Sequence, residues 1–207
     1  MKNVDLSYEI TNETEVFPGD INVNLKRLAE FSTDGYTIYT METGMHSGTH
    51  IEAPMHMTYN ENHIGDYDIG RFVGNAVMLD VRGENIISMK EEYFGKIKEN
   101  SIVLLYTGWS EKYGTEEYFQ NYPVIDEELA DFLIRKKIKV LGMDSPSPDK
   151  EPYEIHKILF QNGVFILENL TNLSKLLYVE EFEVFAQPLK INAEASLVRA
   201  FAQYKGY

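Results

Sequence analysis

His46-Ser-Gly-Thr-His50-Ile-Glu52-Ala-Pro54-Met-His56 gathers three imidazoles and a carboxylate within eleven residues. Their spacing tests the backbone directly. On an α-helix His46 and His50 share a face, while Glu52 and His56 point away from it. Pro54 also disfavours helical geometry at Ala53 and brings no N–H. On a strand all four share a face, but a straight one separates His46 from His56 by roughly 33 Å. No single metal site spans that distance. The segment is therefore expected to be a turned loop rather than a regular element, bent at Gly48 and Pro54. Gly48, lacking a side chain, also leaves room for backbone or substrate to approach. Thr49 either holds the loop through its hydroxyl or serves a plain turn.

A second cluster follows. His156 precedes Glu168 by twelve residues, and Glu168 closes an apolar run. Neutral imidazole suits zinc and its first-row neighbours, and a carboxylate can bridge two such ions. The two clusters together predict a divalent-metal site and a metal-dependent hydrolase. His63 lies in a polar loop and is left out of the ligand set.

The rest of the composition narrows the class. With 207 residues, 43% hydrophobic and 13% aromatic, the chain has enough material for one sizeable core, and a single domain over 1–207 is expected. A net charge of −14 repels phosphate backbones, so nucleic acid is not an expected partner. The absence of cysteine excludes a thiolate nucleophile, a thiolate zinc site and any disulfide framework. No stretch approaches the ~20 apolar residues that cross a bilayer, and the start has no signal-peptide core. A cytoplasmic, soluble protein without membrane contact is expected.

Apolar runs at Asn75–Val81, Ser101–Thr107, Lys139–Met143 and Val164–Leu167 predict buried strands. Gly35–Glu42 alternates and predicts a half-buried one, and Phe182–Leu189 another strand. Ala195–Tyr204 fits strand or helix. Ser88-Met-Lys-Glu91 has the pattern of a capping box opening a helix toward Asn100. Asp126 caps a second helix with Leu129, Phe132 and Leu133 on one face and Arg135, Lys136 and Lys137 at its end. A third is expected over Glu154–Asn162, stopped by Gly163, with Ile155, Ile158 and Leu159 facing the core. His156, one position round, reaches a pocket at that helix's edge. The class is mixed α and β.

The segment MHSGTHIEAPMHM resembles the HxGTHxDxPxH signature of the cyclase family of metal-dependent hydrolases, which includes bacterial kynurenine formamidase and isatin hydrolase. Further segments resemble the family in the same order. These are Asp5-Leu-Ser, Phe17-Pro-Gly-Asp20, Leu104-Leu-Tyr-Thr-Gly-Trp109, Gly142-Met-Asp-Ser-Pro-Ser-Pro-Asp149, Pro188-Leu-Lys-Ile and Glu194-Ala-Ser-Leu-Val-Arg199. The resemblance implies an α/β, swivelling β/β/α single-domain fold with a mixed sheet, assembled as a dimer or tetramer. It also implies two divalent ions, zinc or alternatively manganese. By position His46 and His50 hold one ion and His156 the other, with Glu52 and Glu168 shared and His56 as catalytic acid/base. The implied reaction is hydrolysis of a small-molecule amide, as in kynurenine formamidase. A cyclic amide or lactone, or a non-catalytic binding role, are the alternatives.

Two positions depart from that pattern. Glu52 stands where the formamidase signature has Asp, adding a methylene to the reach of the carboxylate. Phe17 stands where a substrate-contacting Trp is expected, keeping a ring to stack but losing the indole N–H; it is equally read as a core residue beside Pro18. Trp109 reads as a pocket wall or as packing. Asp144 either orients a ligand imidazole or caps the Ser-Pro-Ser-Pro turn. Arg199 reads as structural.

Overall fold

Four apolar runs become four adjacent parallel strands, and the remainder of the fold is arranged around them. The computed structural model describes residues 1–206. In chain order its strands are β1 (Lys2–Asp5), β2 (Asn24–Ala29), β3 (Ile38–Glu42), β4 (His50–Glu52) and β5 (Val73–Asp80). There follow β6 (Ile86–Ile87), β7 (Ile102–Tyr106), β8 (Val124–Ile125), β9 (Val140–Met143) and β10 (Phe165–Glu168). The last three are β11 (Phe182–Phe185), β12 (Ala195–Leu197) and β13 (Phe201–Tyr204).

One nine-stranded sheet runs β1-β13-β11-β5-β7-β9-β10-β4-β12. Its middle, β5-β7-β9-β10, is parallel, and every other pairing is antiparallel. A parallel strand covered on both faces has no polar side, which is why β7 reads Ile-Val-Leu-Leu-Tyr and is buried throughout. Alternation along it divides the core in two. Ile102, Leu104 and Tyr106 join the cluster that includes Phe165, Leu167 and Val184. Val103 and Leu105 face Leu129, Phe132, Ile155 and Leu159. The second cluster is roofed by the helices Glu127–Arg135 and Glu154–Gln161. Gly142 is dictated by this packing, since a Cβ there would lie 2.6 Å from Leu104 Cδ2.

Both long helices form where expected. Asp126 caps the first by accepting from the Leu129 N–H at 2.9 Å. Gly163, at φ +72°, follows the second. Ile158, however, is only half-buried, and Phe160 takes the core position instead.

Other expectations need correction. The Ser88 capping box does not form. Ser88 directly follows β6, which is paired to β8, and the helix is a single turn, Tyr93–Lys96, with no side-chain cap. Ile97 is already extended. The strand over Asn75–Val81 occupies Val73–Asp80 but is mostly half-buried, Leu79 being its one buried residue. The Phe182–Leu189 strand stops at Phe185, ahead of Pro188, whose missing N–H suits the end of a ladder. Ala195–Tyr204 is two strands, not a helix.

The largest difference concerns Gly35–Glu42. It forms β3, but every residue of that strand is exposed. It pairs only with β2, in a separate two-stranded sheet, so the apolar half of its alternation meets no third layer. Among the described residues no helix is long and apolar enough to cross a membrane.

Candidate metal centre

The loop quoted first is bent as its chemistry requires, although its middle is a regular strand. Gly48 sits at φ +59°, where an added Cβ would lie 2.5 Å from Ile10 Cδ1. The chain then enters β4, which pairs with β10 on one side and β12 on the other. Pro54 opens a 3-10 turn ending at His56, a position where its missing N–H costs nothing. The expectation of a loop without regular structure thus fails at His50–Glu52. A short strand solves the reach problem because only three residues stay straight.

Strand register sets the first contacts. His50 lies opposite Glu168, and His50 and Glu52, two residues apart, share a face. His50 Nε2 is 3.3 Å from Glu168 Oε2 and 3.5 Å from Glu52 Oε1. From the helix above, His156 Nε2 approaches Glu52 Oε2 at 3.4 Å and Glu168 Oε1 at 3.5 Å. His46 Nδ1 meets Glu52 Oε1 at 2.7 Å, and His56 Nε2 lies 3.7 Å from the same oxygen. All six predicted residues therefore converge, with Glu52 touched by four imidazoles. His63 stays apart, paired with Asp66.

Distances group these donors differently from the pattern implied by the resemblance. Two compact triplets stand out, His46/Glu52/His56 and His50/Glu52/Glu168, each with donor atoms within 4.8 Å of one another. His156 reaches both shared carboxylates without joining either triplet. His46 keeps company with His56 as closely as with His50, at ring separations of 4.4 and 5.0 Å.

The donor set fits divalent cations on an independent ground. His50 Nε2, Glu52 Oε2 and Glu168 Oε1 are buried without a hydrogen-bond partner, and such orphaned atoms are costly unless something binds them. His50 Nδ1 donates to the Gly48 carbonyl at 2.9 Å, which fixes the tautomer that leaves Nε2 free to ligate. Burial opposes protonation of His46, but bonds to Glu194 and Glu52 outweigh it and carry its pKa to about 10. For His50 burial is likewise overcome by Glu168 and Glu52, giving about 9. Burial works against Glu52 ionising, yet its imidazole partners hold it well below the usual carboxylate range. The cluster thus attracts positive charge, as protons or as cations, and the two compete. His56 differs: burial, with help from His46 and His156, pushes it below its ordinary value.

Three supporting residues escaped the sequence reading. Asp149 carries a bond to His156 Nδ1 and also accepts from the Ile155 and His156 N–H groups, at 2.7 and 3.3 Å from Oδ2. One carboxylate both caps the helix and orients its imidazole. Its only sequence signal was membership of the Gly142–Asp149 segment. Glu194 meets His46 Nε2 at 3.2 Å, and Asn169 donates to the Gly48 carbonyl at 3.0 Å. Asp149→Asn is expected to weaken divalent-metal affinity by about 10- to 100-fold, measured calorimetrically. Unchanged affinity would mean that the Asp149 carboxylate serves only the helix.

Asp144 does neither of the two things expected of it. It accepts from the N–H groups of Thr107 and Gly108 and from the Thr107 and Ser110 hydroxyls. It thereby clamps the turn after β7. Trp109 packs there, donating to the Tyr118 carbonyl at 2.8 Å. Arg199 forms a two-pronged pair with Asp5. Phe17 lines the same cavity of about 200 Å³ as His46, His50, Glu52, His56 and His156.

The Cyclase family model matches residues 4–150. The kynurenine formamidase of Bacillus cytotoxicus is 31% identical over 205 residues, covering 95% of each chain. An uncharacterized protein of Methanocaldococcus jannaschii is 32% identical, covering 98% of this chain and 99% of its own. In fold, isatin hydrolase A from Labrenzia aggregata, solved with benzyl benzoate, superposes at a TM-score of 0.87. It is 23% identical over 97% of this chain and 93% of that one. Likeness of this extent, on a chain whose signature loop is folded around its own imidazoles, means that it belongs to the cyclase family.

Proposed function

We propose that the protein is a metal-dependent hydrolase that cleaves the C–N bond of a small aromatic amide, in the manner of kynurenine formamidase. The observation that carries this reading is the convergence of three buried polar atoms without a hydrogen-bond partner, His50 Nε2, Glu52 Oε2 and Glu168 Oε1, on residues that line one cavity. His46, His50, Glu52, His156 and Glu168 are the proposed ligands of two divalent ions, zinc first and manganese as the alternative. When bound, such ions supply a water acidified toward neutrality and a Lewis acid for a carbonyl oxygen.

The chain's own residues do the rest. His56 retains partial solvent access, with 24% of its side chain exposed, and Nε2 faces Glu52. Held below the usual imidazole pKa, it is neutral at pH 7 and accepts a proton there. As the water oxygen bonds to the carbonyl carbon, that proton moves to His56. When the C–N bond breaks, His56 returns it to the departing nitrogen, so one water yields a carboxylic acid and an amine. Phe17 and Phe119, set edge-to-face at 5.7 Å, offer an aromatic wall to the substrate ring.

A cyclic aromatic amide is the second reading, favoured by Phe17 in place of an indole donor. Assay of N-formylkynurenine and isatin, with metal-loaded and metal-free protein, tests both. Turnover of the formyl amide supports the first reading and ring opening of isatin the second. Inertness toward both at full metal loading counts against hydrolysis of aromatic amides.

Residues 1–207 are proposed to form one domain, because β1 pairs with β13 and so ties the two ends of the chain into one sheet. A homo-oligomer, dimer or tetramer, is proposed from the β2–β3 hairpin. Leu28, Phe31, Ile38, Tyr39 and Met41 are all large, apolar and exposed on it. An isolated two-stranded hairpin is marginal in water, and grouped apolar surface of this kind is usually covered. Ile38→Glu with Met41→Glu is expected to reduce the mass seen by light scattering to that of one chain. An unchanged mass would remove the hairpin from the interface.

A further inference from the structure

Gly48 stands at φ +59°, a region that glycine enters freely, and that freedom extends to the direction of its carbonyl. The direction matters. This carbonyl accepts from His50 Nδ1 at 2.9 Å and so decides which nitrogen of the imidazole is left for a metal. Asn169, the residue after Glu168, holds it in two ways. Asn169 Nδ2 donates to the Gly48 carbonyl at 3.0 Å, and the Asn169 carbonyl accepts from the Thr49 hydroxyl at 2.6 Å. The backbone of Asn169 lies at φ +56°, a left-handed conformation that asparagine tolerates better than most residues.

The amide of Asn169 is held in turn. A carbonyl oxygen only accepts, so the amide nitrogen must face Gly48 and the amide oxygen must face away. There it meets the Tyr118 hydroxyl at 2.7 Å, and the phenol donates. Tyr118 is fully buried. Its carbonyl accepts from Trp109 Nε1 at 2.8 Å, and its ring stands edge-on to Tyr113 and Phe119 at 5.1 and 5.0 Å. A ring gripped on these sides presents its hydroxyl in one direction. The bonds run from Tyr118 to Asn169 and from Asn169 to Gly48, where the His50 imidazole bonds to the same oxygen.

We infer that Tyr118 is a positioning residue for the metal centre, acting through Asn169 and the Gly48 carbonyl to fix the His50 ring. This rests on His50 as a metal ligand and is independent of what the centre hydrolyses. Tyr118 takes no part in proton transfer.

Zinc affinity of the full chain, measured calorimetrically against a competing chelator, tests the inference without any assay of turnover. Tyr118→Phe removes the hydroxyl alone and is expected to weaken zinc binding about 10-fold, the lower end of what groups behind a ligand contribute. Asn169→Gly keeps the left-handed backbone, removes the amide and is expected to weaken binding at least as much. The double variant should then bind within about twofold of Asn169→Gly alone, whereas independent losses would multiply. Tyr8→Phe is the control. Its hydroxyl bonds to the Ser110 carbonyl and its ring stacks on Tyr113, in the same aromatic group, and its removal should leave zinc affinity unchanged. In zinc-loaded protein with nitrogen-15-labelled histidine, the His50 Nδ1–H resonance is expected to be sharp in the parent and broadened by exchange in Tyr118→Phe. Melting temperature does not decide the matter, since a merely structural tyrosine would lower it too. Unchanged zinc affinity and His50 resonance in Tyr118→Phe, losses that multiply in the double variant, or an equal loss in Tyr8→Phe overturns the inference. A parent that binds no zinc overturns it together with the metal centre. The expected zinc affinities without turnover of any amide would support it and count against the hydrolase reading alone.

Discussion

Titrated with zinc or manganese, a Glu52→Gln protein is expected to bind at least ~100-fold more weakly than its parent and to show no measurable turnover. Four imidazoles approach this one carboxylate, from His46, His50, His56 and His156, and it is common to both compact donor triplets. Glutamine keeps the volume and one oxygen but removes the charge shared by the two triplets. It also places an N–H₂ where ligands must accept, which a crowded cationic site cannot tolerate. The residue is buried at the end of β4. Metal content by elemental analysis and affinity by calorimetry give the answer together. Retention of one ion at near-parent affinity would show that Glu52 serves a single position.

His56→Ala is expected to lower kcat by about 10²- to 10⁴-fold while leaving metal stoichiometry and melting temperature near those of the parent. The prediction is demanding, because His56 sits inside one of the two possible ligand triplets. Loss of an ion along with activity would make it a ligand and transfer the proton-handling role elsewhere. The pH profile supplies a second criterion. Burial holds this imidazole below the ordinary 6.5, and a base works only when unprotonated. Activity should therefore rise through an acid limb centred below that value and be close to full at neutral pH. In His56→Ala that limb should vanish from the residual rate.

Much of the site was legible because its constraints are local. Even spacing of His46, His50, Glu52 and His56, with Gly48 and Pro54 between them, left few backbone paths, and a bend was forced on each. His156 and Glu168 were legible through helix and strand periodicity. Asp149 was not, because its bond to His156 depends on how the Ser-Pro-Ser-Pro turn delivers it to the helix start. Asp144 was misassigned for a related reason. It sits at the end of β9, and only the parallel register of β7 and β9 reveals that Thr107 and Gly108 lie beside it. The burial of β3 failed differently. Alternation in a strand records that one face is apolar, and says nothing of whether the covering layer belongs to the same chain.

The neighbours of β4 have a consequence for synthesis on the ribosome. All six clustered residues are made by Glu168, yet one side of β4 waits for Ala195–Leu197. β1 waits still longer, for Phe201–Tyr204. A nascent chain thus carries all six clustered residues behind bare backbone amides until β12 and β13 have been made, and a chaperone that shields such edges has most to do in that interval.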